Sequence, residues 1–269
     1  MSAFDLGGQV ALITGGTRGL GHAIGRALAR RGALIVVTHR WGSVSDADVT
    51  RTYEDEHLPP PVVLEADAGN AGDVERVVET VRDRFGRLDI FVSNVCVAAR
   101  GTGFDDLRKR DVLMSLERSA WPLLTHLDAI ERVLGRLPRV TIAMSSDGAG
   151  HYYPGYDYVA VSKAALDSLV VSQAGRVAAA GGRIFGLSTR QVDTSSLGDI
   201  FGADIAALLR RDFTFFATAA EQMGDAAIVL ASGLLDGMHG QVVNIDKGAG
   251  FFDNFISVGP LVLNGAIPL

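Results

Sequence analysis

The stretch VALITGGTRGLGHAIGRALARRG, Val10 to Gly32, decides the fold. Val10–Thr14 is a short, wholly apolar run ending in threonine, the pattern of a buried strand. The glycine-rich turn Thr14-Gly15-Gly16-Thr17-Arg18-Gly19-Leu20-Gly21 follows directly, and HAIGRALARRG continues as an amphipathic helix. In that context the glycines permit a tight turn and let a pyrophosphate approach the helix N-terminus, where unpaired N–H groups favour an anion.

Outward from this unit the alternation repeats. ALIVVTHR is a second strand; the polar segment Trp41 to His57 follows, then PPPVVLEAD as a third strand entered through three prolines. VERVVETVRDRFG is helical, LDIFVSN a fourth strand and, after another helix, RVTIAMSS a fifth. YVAVSKAALDSLVVSQAGRVAAAGG reads as one long helix, GRIFGLST as a sixth strand and GQVVNID as a seventh. Strands alternating with helices predict right-handed βαβ units: a single Rossmann-type α/β domain over residues 1–269, doubly wound, with about seven parallel strands and helices on both faces. Two segments depart from the alternation. Residues 190–216 form a long excursion expected to act as a substrate lid. Residues 248–269 form an apolar arm suited to a subunit interface, in a homo-dimer or homo-tetramer.

Composition narrows the classes. The chain has 269 residues, 48% apolar and 21% charged, with a net charge of −6, which disfavours nucleic acid and anionic membrane as partners. One cysteine, Cys96, permits neither an intramolecular disulfide nor a cysteine zinc cluster, and no metal-ligand pattern stands out. Cys96 is expected to pack beside the cofactor loop. The N-terminus lacks the layout of a secretory signal, so a cytoplasmic protein is expected.

The spacing TGxxxGxG, with the run of elements around it, resembles the short-chain dehydrogenase/reductase family along nearly the whole chain. The resemblance implies a nicotinamide dinucleotide held by Gly15, Thr17, Arg18, Gly19, Leu20 and Gly21, with Asp67 and Ala68 at the adenine. It also implies Asn94 beside the ribose, Lys163 on the nicotinamide ribose, and Val192 and Thr194 after the sixth strand. The form of cofactor follows from charge. A ribose 2′-hydroxyl is usually held by an acid at the end of the second strand, but between Gly21 and Asp46 there is no Asp or Glu. The strand ends Thr38-His39-Arg40. Two guanidiniums, Arg18 and Arg40, suit a 2′-phosphate, so NADPH is expected.

The family's catalytic set is Asn, Ser, Tyr and Lys. Ser146 and Lys163 match it. The tyrosine position, four before the lysine, holds Val159, and no asparagine stands between Asn94 and Asn244, the expected site falling near Ser115. Three readings follow. In the first, an NADPH-dependent ketoreductase acts on a bulky aromatic polyketide in antibiotic biosynthesis, and the substrate's own phenol supplies the proton; the combination resembles atypical angucyclinone ketoreductases. In the second, Tyr156 is the functional phenol, since Tyr156-x6-Lys163 has the spacing of the enoyl-acyl-carrier-protein reductases. In the third, the chain is a non-catalytic nucleotide-binding regulator, against which the intact loop, Ser146 and Lys163 weigh. The cluster YYPGYDY, four tyrosines in seven residues, would line a flat pocket for a small aromatic molecule.

Overall fold

The computed structural model describes residues 4–40, 44–97, 99, 107–153, 155–190, 192, 207, 211 and 217–252, leaving aside the side chains of 251 and 252. Seven strands form one sheet: β1 (Val10–Ile13), β2 (Leu34–His39), β3 (Val62–Glu65), β4 (Ile90–Ser93), β5 (Val140–Met144), β6 (Arg183–Thr189) and β7 (Val242–Ile245). Their order is β3-β2-β1-β4-β5-β6-β7, and every pairing is parallel. The chain winds outward from β1 in one direction, then returns to pair β4 on the other side. That reversal leaves a crevice at the carboxyl ends of β1 and β4, the usual ligand position in such sheets.

Helices α1 (Gly19–Ala29), α2 (Asp46–Glu54) and α7 (Ala220–Ala231) cover one face, while α3 (Ala71–Phe85), α5 (Pro122–Leu134) and α6 (Asp157–Ala179) cover the other. Strands buried on both faces have no solvated side, which is why β1, β4 and β5 are apolar with no alternation and wholly buried. Local sequence sets the helix ends. Asn70 accepts a hydrogen bond from the Asp73 N–H at 3.1 Å to open α3. Pro122 stands in the first turn of α5.

Two elements differ from the sequence expectation. The polar segment after β2 contains α2, opened by Ser45, whose Oγ accepts from the Asp48 N–H at 3.1 Å. The helix expected before β5 is two: α4 (Lys109–Ser119) stops short of Trp121-Pro122, and α5 starts there, because proline cannot continue the α4 hydrogen-bond ladder. A four-residue helix, α8 (Ala249–Phe252), follows β7. The rest of the arm expected over 248–269 lies outside the described residues, as does most of the 190–216 excursion.

Candidate active site

Thr14 ties together the two strands that flank the crevice. Its Oγ1 accepts from the Asn94 N–H at 2.9 Å and donates to the Val92 carbonyl at 3.4 Å. The Asn94 amide in turn donates to the carbonyls of Thr14 (2.9 Å) and Gly15 (3.1 Å). Asn94, expected beside the ribose, therefore braces the glycine turn from β4. Gly15 has φ +64°, the left-handed region where a side chain is strained. A Cβ on Gly21 would stand 2.6 Å from both the Gly15 oxygen and Asn94 Nδ2. Thr17 is buried, Leu20 packs against the core, and Arg18 is exposed at the N-terminus of α1. This is a preformed cradle of backbone N–H groups at an eleven-residue helix, and it fits a dinucleotide pyrophosphate.

At the adenosine end the candidates meet each other. Arg40 Nη1 lies 3.1 Å from Asp67 Oδ2, so the residue expected at the 2′-phosphate is ion-paired with the residue expected at adenine. Asp67 Oδ1 also accepts from the Gly69 N–H at 2.9 Å, and Ala68 beside it is buried. Asp46 of α2 lies against the end of β2, its Oδ1 3.2 Å from His39 Nε2.

The catalytic candidates gather where β5 ends. Ser146 follows β5 and is buried. Its Oγ accepts two hydrogen bonds, from the Tyr156 hydroxyl at 3.1 Å and from the Gly148 N–H at 3.2 Å. The Tyr156 ring reaches this position because residue 148 is glycine; a Cβ there would meet Tyr156 Cε1 at 2.5 Å. Burial pushes the Tyr156 phenol up to about 12, helped by the Cys96 thiol and the Asp147 carboxylate and opposed by the Ser146 contact. Lys163 is buried two turns along α6 and donates from Nζ to the Met144 carbonyl at 2.6 Å. Val159 is buried on the same helix face. Tyr158 turns elsewhere: its hydroxyl accepts from the Arg108 N–H at 2.9 Å, before α4. Ser115, nearest the expected asparagine, is also structural, accepting from the Ala99 N–H at 3.2 Å and donating to the Asp111 carbonyl at 2.7 Å.

A cluster that sequence reading missed adjoins Ser146. The Asp147 carboxyl, almost wholly buried, accepts from the Tyr153 hydroxyl at 2.7 Å and faces Arg190 Nε at 3.4 Å. Arg190 stands in TR, where the family pattern has Pro-Gly. Burial raises the Asp147 carboxyl despite the Tyr153 bond and the Arg190 charge. Cys96, expected to pack, is exposed; the chain after β4 turns it outward. Val192 is buried and bridges to Thr218, and Thr194 lies outside the described residues. Thr189 and Thr218 both donate to the Ile245 carbonyl, at 2.8 and 3.1 Å, joining the two ends of the excursion. Among the described residues, no group of three His, Cys, Asp or Glu side chains could hold a metal ion, and no helix is long and apolar enough to cross a membrane.

Comparison with known proteins agrees with this architecture. The family model described as Enoyl-(Acyl carrier protein) reductase matches residues 15–250. The chain belongs to that family, within the short-chain dehydrogenase/reductases, and is an oxidoreductase of that class. It is 30% identical over 189 residues to 1-cyclohexenylcarbonyl-CoA reductase of Streptomyces collinus, an alignment spanning 70% of this chain and 66% of that protein. It is 27% identical over 256 residues to the NADH-dependent enoyl-[acyl-carrier-protein] reductase FabI of a Nostoc species, covering 91% of this chain and 97% of the other. A hydroxynaphthalene reductase of Aspergillus fumigatus is 33% identical over 171 residues, 60% of this chain and 58% of that one. Among solved structures, a short-chain dehydrogenase of Burkholderia cenocepacia in complex with NADP superposes with a TM-score of 0.78, at 24% identity over 91% of this chain and 99% of the other.

Proposed function

We propose that this chain is an NADPH-dependent ketoreductase that reduces a carbonyl of a bulky aromatic polyketide, of the atypical angucyclinone kind associated with the simocyclinone pathway. One observation carries the reading. Both acceptor positions of Ser146 Oγ are filled, by Tyr156 and by the Gly148 N–H. A hydroxyl has two lone pairs and one proton, so Ser146 has its proton left to give to a substrate oxygen. A dihydronicotinamide, when bound, supplies the hydride. Ser146 then holds the oxygen on which charge develops, and Lys163, anchored on Met144, serves the cofactor side.

The proton is a separate matter. Val159 offers none. Tyr156 spends its hydrogen on Ser146 and, near 12, is a weaker acid than an ordinary phenol at about 10. A substrate phenol beside the carbonyl is the better donor, already hydrogen-bonded to the oxygen it must protonate. The existence of a relative named for a hydroxynaphthalene supports a fused aromatic substrate.

The Tyr156–Ser146 contact also favours a second reading, reduction of an enoyl thioester. There the phenol and serine would hold an enolate oxygen while hydride adds to the double bond, and relatives named enoyl reductases align over 91% of this chain. Three substrates separate the two: a fused aromatic ketone with a hydroxyl beside the carbonyl, its methyl ether, and crotonyl-CoA, each followed by NADPH oxidation. The ketoreductase reading expects turnover of the first, none of the other two, and about a tenfold loss with Tyr156→Phe. Turnover of crotonyl-CoA with a loss of about 10²-fold or more in Tyr156→Phe establishes the enoyl reading instead.

A further inference from the structure

The cluster beside Ser146 takes no part in the chemistry above, yet every member is placed toward it. Asp147 follows Ser146 directly. Its Oδ2 is shared by Tyr153 Oη at 2.7 Å and Arg190 Nε at 3.4 Å. Its main-chain carbonyl accepts from the N–H groups of Gly150 (2.9 Å) and His151 (3.1 Å) and contacts His151 Nδ1 at 3.0 Å. Asp147 Oδ1 is buried without a hydrogen-bond partner, although burying a carboxylate is costly unless it is paired and hydrogen-bonded, as only Oδ2 is. Arg190 also lies over the Tyr153 ring, 6.0 Å from its centroid. The Tyr153 ring meets that of Tyr156 edge-on, with centroids 5.9 Å apart at 81°. Contacts therefore run unbroken from the end of β6, through Arg190, Asp147 and Tyr153, to Tyr156 and Ser146.

We infer that Asp147, Arg190 and Tyr153 are positioning residues: together they hold the Tyr156 ring on Ser146 and so fix the orientation of the Ser146 proton toward substrate. This rests on the reading that Ser146 binds the substrate oxygen. Where the family pattern has Pro-Gly, Thr189-Arg190 sets a charge between two neighbouring strands. The pair is well buried, with side-chain exposures of 15% for Arg190 and 4% for Asp147, so solvent screens it little. The cluster adjusts rate through Tyr156 and leaves the glycine cradle, on the other side of β4, untouched.

A double-mutant cycle and a spectroscopic probe test it on the NADPH-loaded enzyme. With the hydroxylated aromatic ketone, Asp147→Asn should lower kcat up to about tenfold and leave the KM for NADPH within about twofold. In a Tyr156→Phe background the same change should have no further effect, because the route to Ser146 is already cut. Additive losses overturn the proposal. The second probe needs no substrate. With 3-fluorotyrosine incorporated, the Tyr156 resonance, assigned from Tyr156→Phe, should shift in Asp147→Asn and in Arg190→Ala, and its titration should move to lower pH in Asp147→Asn. Among the described residues, the groups facing this phenol include Cys96, Ser146 and Asp147, and those facing Asp147 include Tyr153, His151, Arg190 and Asp246. A Tyr156 signal unmoved in both variants overturns positioning, whatever the substrate. A moved signal in an enzyme that reduces no ketone would count against the ketoreductase reading and leave the cluster's role standing. Arg190→Ala serves as the second variant where Asp147→Asn folds poorly.

Discussion

The ring of Tyr156 presses against the backbone of Gly148, and no side chain can stand between them. A Cβ at residue 148 would lie 2.5 and 2.7 Å from two ring carbons, which real contacts do not allow. Gly148→Ala should therefore displace Tyr156 from Ser146 while leaving the sheet intact, since the clash is local. Activity should fall at least as far as in Tyr156→Phe, with a circular dichroism spectrum and melting behaviour close to wild type. Full activity in Gly148→Ala would show that Tyr156 need not touch Ser146 during turnover.

Tyr158 is the counterpart control. Its hydroxyl accepts from the Arg108 N–H in a part-buried contact before α4, far from Ser146 in role if not in sequence. Tyr158→Phe removes that hydrogen bond at the edge of the fold, so stability should drop by about 0.5–1.5 kcal/mol with kcat unchanged. Urea denaturation and steady-state rates on the same preparation check both halves.

On the NADPH reading, cofactor choice is expected to depend on the Arg40–Asp67 pair. Arg40 is held by Asp67 at 3.1 Å. Arg40→Ala should weaken NADPH binding by about one to two orders of magnitude and NADH by less than about twofold. Asp67→Asn removes the competing anion, so NADPH should bind a few-fold more tightly. Fluorescence titration with each nucleotide measures this. Equal losses for NADH and NADPH in Arg40→Ala would assign the 2′-phosphate elsewhere.

His126 predicts a pH dependence of stability. It is fully buried in α5, stacked on Phe91 with centroids 5.1 Å apart, and its Nδ1 donates to the Pro122 carbonyl at 2.7 Å. Burial lowers its pKa to about 4, against about 6.5 in the unfolded chain. Between those values only the unfolded state takes the proton. Its stabilising share is complete above about pH 6.5 and is lost as pH falls toward 4, about 2 kcal/mol of it by pH 5. His126→Leu should flatten the profile of unfolding free energy over that window. An unchanged slope between pH 7 and 5 would mean another group dominates it.

The strands were legible because a parallel sheet buried on both faces demands uninterrupted apolar runs, and the glycine turn announced its own position. Helix α2 was hidden by polar composition, although Ser45-x-x-Asp48 is a helix-start pattern. The break between α4 and α5 was signalled by Pro122. Of the site, the cradle is read from its glycine spacing, while Ser146 and Lys163 rest on the family resemblance. The partnership of Tyr156 with Ser146 was half legible from its interval to Lys163, but which of four tyrosines reaches the serine depends on how the 147–156 loop folds over Gly148. Asp147 and Arg190 are adjacent only because β5 and β6 are neighbours in the sheet, which no local pattern encodes. Cys96 was misread because its family counterpart is a small residue near the cofactor, and nothing in sequence says which way the chain turns after β4.

The two threonines that share the Ile245 oxygen have an evolutionary implication. Thr189 and Thr218 are both fastened to one main-chain oxygen of β7, and Val192 adds a bridge to Thr218. When the ends of a segment are already fixed together, doubling its length adds only about 0.6 kcal/mol of closure entropy. Beyond Arg190, which is tied to Asp147, the stretch can thus change length with little effect on how the sheet closes. Grafting the corresponding stretch of an enoyl reductase beyond Arg190 should give a folded protein, and such interchangeability offers one route by which a single scaffold comes to serve different substrates.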